Sequence, residues 1–172
     1  MNVCVFCGSA PGKNPIYADA VREFGGFLAL GGHTLVYGGG NIGLMGILAD
    51  AVLNNKGKVI GVIPDFLMRK EVGHTHITQL EIVSSMHERK RRMADLSDHF
   101  VVLPGGWGTL DETAEILTWK QLGLIHQPVT FLNVLGFFDS LLTQMNYMVS
   151  EGFLRPENLG SIRIVEAPAQ VL

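Results

Sequence analysis

Short apolar, β-branched runs alternate with longer stretches of helical periodicity along the whole chain. The runs Asn2–Phe6, Thr34–Tyr37, Lys58–Ile63, Glu81–Val83, His99–Leu103, Pro128–Leu132 and Ile162–Glu166 read as strands. Several are almost unbroken Val, Ile, Leu and Phe, as expected of parallel strands covered on both faces. Between them, apolar spacing predicts helices over Pro15–Leu30, Gly43–Asn55, His87–Ser97, Thr109–Leu124 and Phe137–Glu151. Such alternation predicts the α/β class: a doubly wound parallel sheet of about seven strands with helices on both faces. No linker, low-complexity segment or internal repeat interrupts it, so residues 1–172 are read as a single domain. In the last helix Phe137, Phe138, Leu141, Leu142, Met145 and Met148 suit either a core or a subunit interface, and most of them are assigned to the core.

The composition agrees with a self-sufficient core. Of 172 residues, 47% are hydrophobic and 17% charged, which excludes a disordered chain. Thirteen basic against 16 acidic residues leave a net charge of -3, so a non-specific nucleic-acid binder is excluded too. The two cysteines, Cys4 and Cys7, have C-x-x-C spacing but fall in or at the end of the first strand. They read as buried strand residues rather than a redox dithiol, and no second pair exists to complete a zinc site. His74-Thr75-His76 is a weak metal candidate, and no metal site is expected. No basic, apolar leader and no apolar stretch of ~20 residues is present, which points to a cytoplasmic protein without a membrane partner.

Glycine clusters follow three predicted strands, at Gly8, Gly38-Gly39-Gly40 and Gly105-Gly106. In open parallel sheets ligands bind outside the carboxyl ends of the strands. Gly38-Gly39-Gly40-Asn41-Ile42-Gly43 contains G-x-G-x-x-G, and Gly39 and Gly40 are expected nucleotide contacts; the competing reading is a tight packing turn. The motif follows the second strand, and no acidic residue ends the next one, which disfavours a dinucleotide cofactor.

Pro104-Gly105-Gly106-Trp107-Gly108-Thr109 leaves the strongest strand and opens a helix. Its bare amides and the Thr109 hydroxyl can cradle a phosphate at the positive helix end. No Gly-Lys-Ser/Thr follows, so P-loop kinase or ATPase chemistry loses its support. Thr109-x-x-Glu112 also spells a capping box, which leaves Glu112 as either a cap or a catalytic carboxylate. Glu115 lies one turn on and can serve the same cleft or simply face solvent. Upstream, Arg89-Lys90-Arg91-Arg92 point to several helix faces, so they cannot all enter one site. The segment is either a solvated basic face or the source of one arginine for the strand-end crevice, where a fixed guanidinium fork suits phosphate or transition-state charge.

Three segments together, Val36-Tyr37-Gly38-Gly39-Gly40-x-x-Gly43-Leu44-Met45-Gly46, Met86-His87-Glu88-Arg89-Lys90 and Pro104-Gly105-Gly106-x-Gly108-Thr109-x-x-Glu112, resemble the Lonely Guy (LOG) family. These are cytokinin riboside 5'-monophosphate phosphoribohydrolases, often mislabelled lysine decarboxylases. The resemblance runs from Cys7-Gly8-Ser9 to Trp119-x-Gln121-Leu122-Gly123. It implies a Rossmann-like nucleotide-binding domain that hydrolyses the N-glycosidic bond of N6-modified AMP, and of AMP, to free base and ribose 5-phosphate. It implies Arg89 and Glu112 as the catalytic pair and Gly105, Gly106, Trp107, Gly108 and Thr109 as the phosphate turn. Gly8, Ser9, Met86 and Lys90 then fall near the nucleotide, and Glu115 on an acidic position common there. No cofactor is implied; the partners are a small-molecule nucleoside monophosphate and a second copy in a homodimer. The alternative is a non-catalytic carrier of a nucleotide or of molybdenum cofactor. A decarboxylase would need pyridoxal phosphate on a lysine, and no lysine has a suggestive setting.

Overall fold

A computed structural model describes residues 1–70 and 73–172. Seven strands form one parallel sheet: β1 (Asn2–Phe6), β2 (Thr34–Tyr37), β3 (Lys58–Pro64), β4 (Gln79–Val83), β5 (His99–Val102), β6 (Val129–Leu132) and β7 (Ile162–Val165). Their order is β4-β3-β2-β1-β5-β6-β7. The chain therefore starts at the centre, winds outward to β4, returns beside β1 as β5 and winds to the other edge. The switch point is the β1/β5 boundary. There the two strand exits touch: the Leu103 N–H donates to the Phe6 carbonyl (2.9 Å) and the Gly8 N–H to the Pro104 carbonyl (3.0 Å).

The helices are α1 (Pro15–Leu30), α2 (Gly43–Asn54), α3 (Asp65–Lys70), α4 (Met86–Asp95), α5 (Trp107–Gln121), α6 (Asp139–Ser150) and α7 (Pro156–Gly160). Side chains of α1 and α2, including Phe24, Leu28 and Leu48, pack with Val3 and Val5 on one sheet face. Met93 of α4, Ile116 of α5 and Met145 of α6 pack with Phe6, Phe100 and Phe131 on the other. Fully burying a side chain such as Phe24 or Phe100 contributes about 1.5–3 kcal/mol, so the two layers carry the stability of the fold. Cys4 of β1 and Cys7 just beyond its end, three residues apart, fall in opposite layers as buried free thiols. Among the described residues no helix is long and apolar enough to cross a membrane.

Helix starts follow local chemistry. Asn14 caps α1 by accepting the Ile16 N–H (3.1 Å), with Pro15 in the first helical turn. The capping pair of this chain sits at α4: the Ser85 hydroxyl accepts the Glu88 N–H (3.1 Å), and the Glu88 carboxylate accepts from the Ser84 N–H and hydroxyl (2.8 and 2.7 Å). Helices α3 and α7, of six and five residues, are absent from the expected pattern because they are too short to show a period. The expected helix Phe137–Glu151 begins two residues late, after a 3-10 turn at Val134–Gly136 in which Leu135 has φ 54°. Its apolar side is less buried than expected. Phe138 and Met145 are buried, whereas Leu141 and Leu142 are half-buried and Phe137 and Met148 lie at the surface, because α6 leaves a groove against α5 instead of closing on it.

The Gly38–Gly43 turn is shaped by packing. Gly39 and Gly43 have φ of +74° and +60°. A Cβ on Gly43 would lie 2.2 Å from the Ser9 carbonyl carbon, while the Leu44 and Met45 N–H groups donate to the Gly8 carbonyl (3.0 and 3.3 Å). The first amides of α2 are thus occupied by the β1 exit rather than open to an anion. Gly43→Ala is expected to destabilise the protein by at least about 2 kcal/mol, read as a lower urea midpoint at unchanged m-value.

Candidate active site

The β5 exit delivers the chain to α5 earlier than the Thr109-x-x-Glu112 spelling suggests. The helix starts at Trp107, with Gly106 as its N-cap and no side-chain cap. Thr109 therefore sits in the first turn and Glu112 in the second, so the capping-box reading fails and the Glu112 carboxylate is left for another partner. Gly106, Trp107 and Gly108 are exposed, and their end of the helix presents uncapped amides. Thr109 is buried because its hydroxyl tucks under the loop: a Cβ on Gly105 would lie 2.0 Å from the Thr109 Oγ1.

Of the four consecutive basic residues on α4, three are committed away from the crevice. Arg91 pairs with Asp95 (2.9 Å) and covers the Trp119 ring. Arg92 forms two bonds to Glu81 (2.6 and 3.1 Å). Lys90 reaches Asp111 (3.0 Å) and Glu115 (2.9 Å), tying α4 to α5. Burial pulls the Lys90 pKa down, but its bonds to Glu115 and Asp111 outweigh this and hold it above the ordinary value.

Arg89 turns inward, on the same helix face as buried Met93, and is itself buried. Its Nε donates to the Val62 carbonyl (3.1 Å) and its Nη2 to the Gly38 carbonyl (3.1 Å), joining the ends of β3 and β2. Nη2 also stands 3.7 Å from Glu112 Oε1, a charge contact longer than a hydrogen bond. Nη1 faces only the soft sulfur of Met86, at 3.7 Å. The guanidinium has five N–H donors, and among the described residues the Nη1 end has no oxygen partner.

Glu112 is buried beside this cation. Burial raises its pKa to about 7; Arg89 pulls it down, Asp111 pushes it up, Lys90 pulls down and Glu115 pushes up. A carboxyl poised near neutrality and a fixed cation next to it are the elements of acid–base catalysis on a substrate that develops charge.

Cavities line the switch point. One of about 210 Å³ is bounded by Gly8, Ser9, Tyr17, Leu44, Pro104 and Gly105. Another, of about 330 Å³, lies across Gly105-Gly106 and is walled by Trp107, Thr109, Leu110, Phe137, Phe138 and Leu141. The structure thus gathers Gly8, Ser9, Gly105, Gly106, Trp107 and Thr109 around one crevice, with Arg89, Met86 and Glu112 grouped at the neighbouring strand ends. Lys90 and Glu115 are bonded to each other. Gly39 and Gly40 are buried, the former accepting the His74 N–H (3.0 Å) and the latter paired with Gly73. His74 itself turns inward to Asp50 (3.0 Å), while His76 is exposed. Sequence reading missed the Val62 carbonyl, which no side chain could signal. It also gave Gly38 no role beyond the glycine run.

Comparison with known proteins identifies the family of the chain. A family model described as "Possible lysine decarboxylase" matches residues 45–172. The cytokinin riboside 5'-monophosphate phosphoribohydrolase LOG1 of Arabidopsis thaliana is 48% identical over 154 residues, 90% of this chain and 72% of that protein. The cytokinin riboside 5'-monophosphate phosphoribohydrolase LOG of Oryza sativa is 50% identical over 152 residues, 88% of this chain and 63% of that protein. Among solved structures, the molybdenum cofactor binding protein of Rippkaea orientalis superposes with a TM-score of 0.70 at 22% identity, covering 98% of this chain and 89% of that one, a likeness of fold. Near-half identity along most of the chain goes further than fold, and by it the chain belongs to the Lonely Guy family.

Proposed function

We propose that this protein is an N-glycosidase that hydrolyses N6-modified (cytokinin) adenosine 5'-monophosphates, and AMP, to free base and ribose 5-phosphate. The observation that carries the reading is the buried Arg89–Glu112 pair, with Glu112 one turn beyond an uncapped, glycine-cleared helix start. The phosphate sits on the first-turn amides of α5, anchoring a substrate whose C1' then faces Glu112. As the C1'–N9 bond breaks, the base leaves with the bonding pair and the sugar becomes oxocarbenium-like. Ionised Glu112 stabilises that charge and takes a proton from the attacking water, whose oxygen bonds to C1'; that proton then passes to the departing base, which leaves as the neutral purine and returns Glu112 to its ionised form. Arg89 meets the substrate through Nη1 and stays cationic throughout. Water is the only co-reactant, so the reaction needs no cofactor. With Glu112 acting as a base, kcat/KM rises as pH increases through about 7 and levels above it, which a pH–rate profile checks. The working unit is a cytoplasmic homodimer, a state that light scattering on the purified protein measures directly.

The decisive experiment incubates the protein with AMP and with isopentenyladenosine monophosphate and separates the products. Free base and ribose 5-phosphate released much faster from the prenylated nucleotide support cytokinin activation; AMP-favoured release indicates general salvage. Tight binding with no release from either favours a carrier.

A further inference from the structure

Resting on the catalytic reading of Arg89, the geometry points to Gly38 as a positioning residue: the space left by its missing side chain is the seat of the Arg89 guanidinium. The backbone at Gly38 does not demand glycine, because its φ lies outside the left-handed region that Gly39 and Gly43 occupy. What demands it is Arg89. A Cβ built on Gly38 would lie 1.7 Å from Nη2, 2.9 Å from Cζ and 3.4 Å from Nε, so its three nearest neighbours all belong to the guanidinium.

The seat also fixes direction. The Gly38 carbonyl takes Nη2 and the Val62 carbonyl takes Nε, two acceptors from adjacent strand ends on one edge of a planar group. With that edge held, the opposite corner, Nη1, is set against the Met86 sulfur at 3.7 Å. Val62 lies within β3 and Gly38 directly follows β2, so the arginine is aimed by two neighbouring strands of the sheet as well as by its own helix. Glu112, 3.7 Å from Nη2, is then held at a set distance from the cation. A methyl group at position 38 forces the guanidinium away by at least about 1 Å, a misplacement of the size that costs on the order of a hundredfold in rate.

The test is Gly38→Ala, alone and combined with Arg89→Ala, measured with isopentenyladenosine monophosphate. The single variant is expected to lose about a hundredfold in kcat with KM changed less than about threefold. Its pH–rate limb is expected to move to higher pH. Glu112 is faced by Arg89 and Lys90 as cations, by Asp111 and Glu115 as anions and, from β1 and its exit, by the thiols of Cys4 and Cys7, which burial keeps protonated; withdrawing Arg89 removes the larger of the two lowering influences. A residue of merely structural importance lowers the amount of active enzyme without moving that limb. Thermal melts give a readout free of activity: Gly38→Ala lowers Tm in the native background but not in the Arg89→Ala background, where the seat is vacant. Normal kcat in the single variant, an unmoved pH limb, or equal Tm losses in both backgrounds overturns the inference. If the native protein releases no base from any nucleotide, the catalytic reading fails, while the melts still test the seat.

Discussion

Replacing Arg89 with alanine should lower kcat/KM for the prenylated nucleotide by at least about a thousandfold while the protein stays folded. The size of the effect follows from how the cation is held. Val62 and Gly38 carbonyls orient it before substrate arrives, so no solvent reorganisation is needed as charge develops. Its removal leaves two strand-end carbonyls without a donor, at a cost of about 1–3 kcal/mol each if water cannot reach them. It also leaves Glu112 without its principal countercharge. Arg89→Lys makes the argument specific: an ammonium carries the charge but cannot span both carbonyls and still face the substrate, so roughly a hundredfold loss should remain. Steady-state kinetics beside circular dichroism checks both variants. Arg89→Lys at native rates would show that charge alone is enough.

Glu112→Gln should be nearly as damaging, about a thousandfold in kcat, and should erase the rise in rate near pH 7. It also makes an opposite prediction for stability. The folded protein holds the Glu112 proton up to about pH 7, whereas the unfolded chain releases it near the ordinary value of 4.5. Between these values the folded state binds more protons, so stability falls as pH rises through the window. The loss is complete above about 7, and an upper bound on it is about 3 kcal/mol. Glutamine carries no such proton. The variant's Tm should therefore fall less than the native protein's between about pH 5 and about pH 8, an inactive enzyme that is relatively more stable in alkali. Parallel Tm–pH slopes would mean that the carboxyl is ionised at ordinary pH in the folded protein.

How far the sequence foretold this arrangement depends on the kind of contact involved. The strand centres were legible because strands buried on both faces have no polar alternation, and Val3-Cys4-Val5-Phe6 and Phe100-Val101-Val102 admit little else. The start of α5 was misread because Thr109-x-x-Glu112 matches a capping box, yet the helix had already begun through Trp107 and Gly108. Ser85-x-x-Glu88 spells the same pattern and does cap its helix, ahead of a basic run that has no bearing on the cap. Periodicity could say that four basic residues face different ways. It could not say that three of them meet Asp95, Glu81, Asp111 and Glu115, which leaves Arg89 as the inward one. The motifs placed Arg89 and Glu112 in a common site, but their mutual distance depends on β2, β3 and α4 meeting, and the acceptors that create it are backbone carbonyls.

The bridging of two strand ends by one arginine has a consequence for divergence. In most enzymes a catalytic side chain can be lost by drift while the scaffold persists unharmed. Here the side chain proposed for catalysis also bridges the ends of β2 and β3, so discarding it exposes the fold to selection as well as the chemistry. A lineage that abandons hydrolysis is then expected to retain the arginine as architecture, or to replace it together with Gly38, whose nearest steric constraint would be gone. Substitution at position 38 among related chains thus becomes an external marker for the loss of catalysis, one that can be sought in sequences whose Glu112 counterpart is still intact.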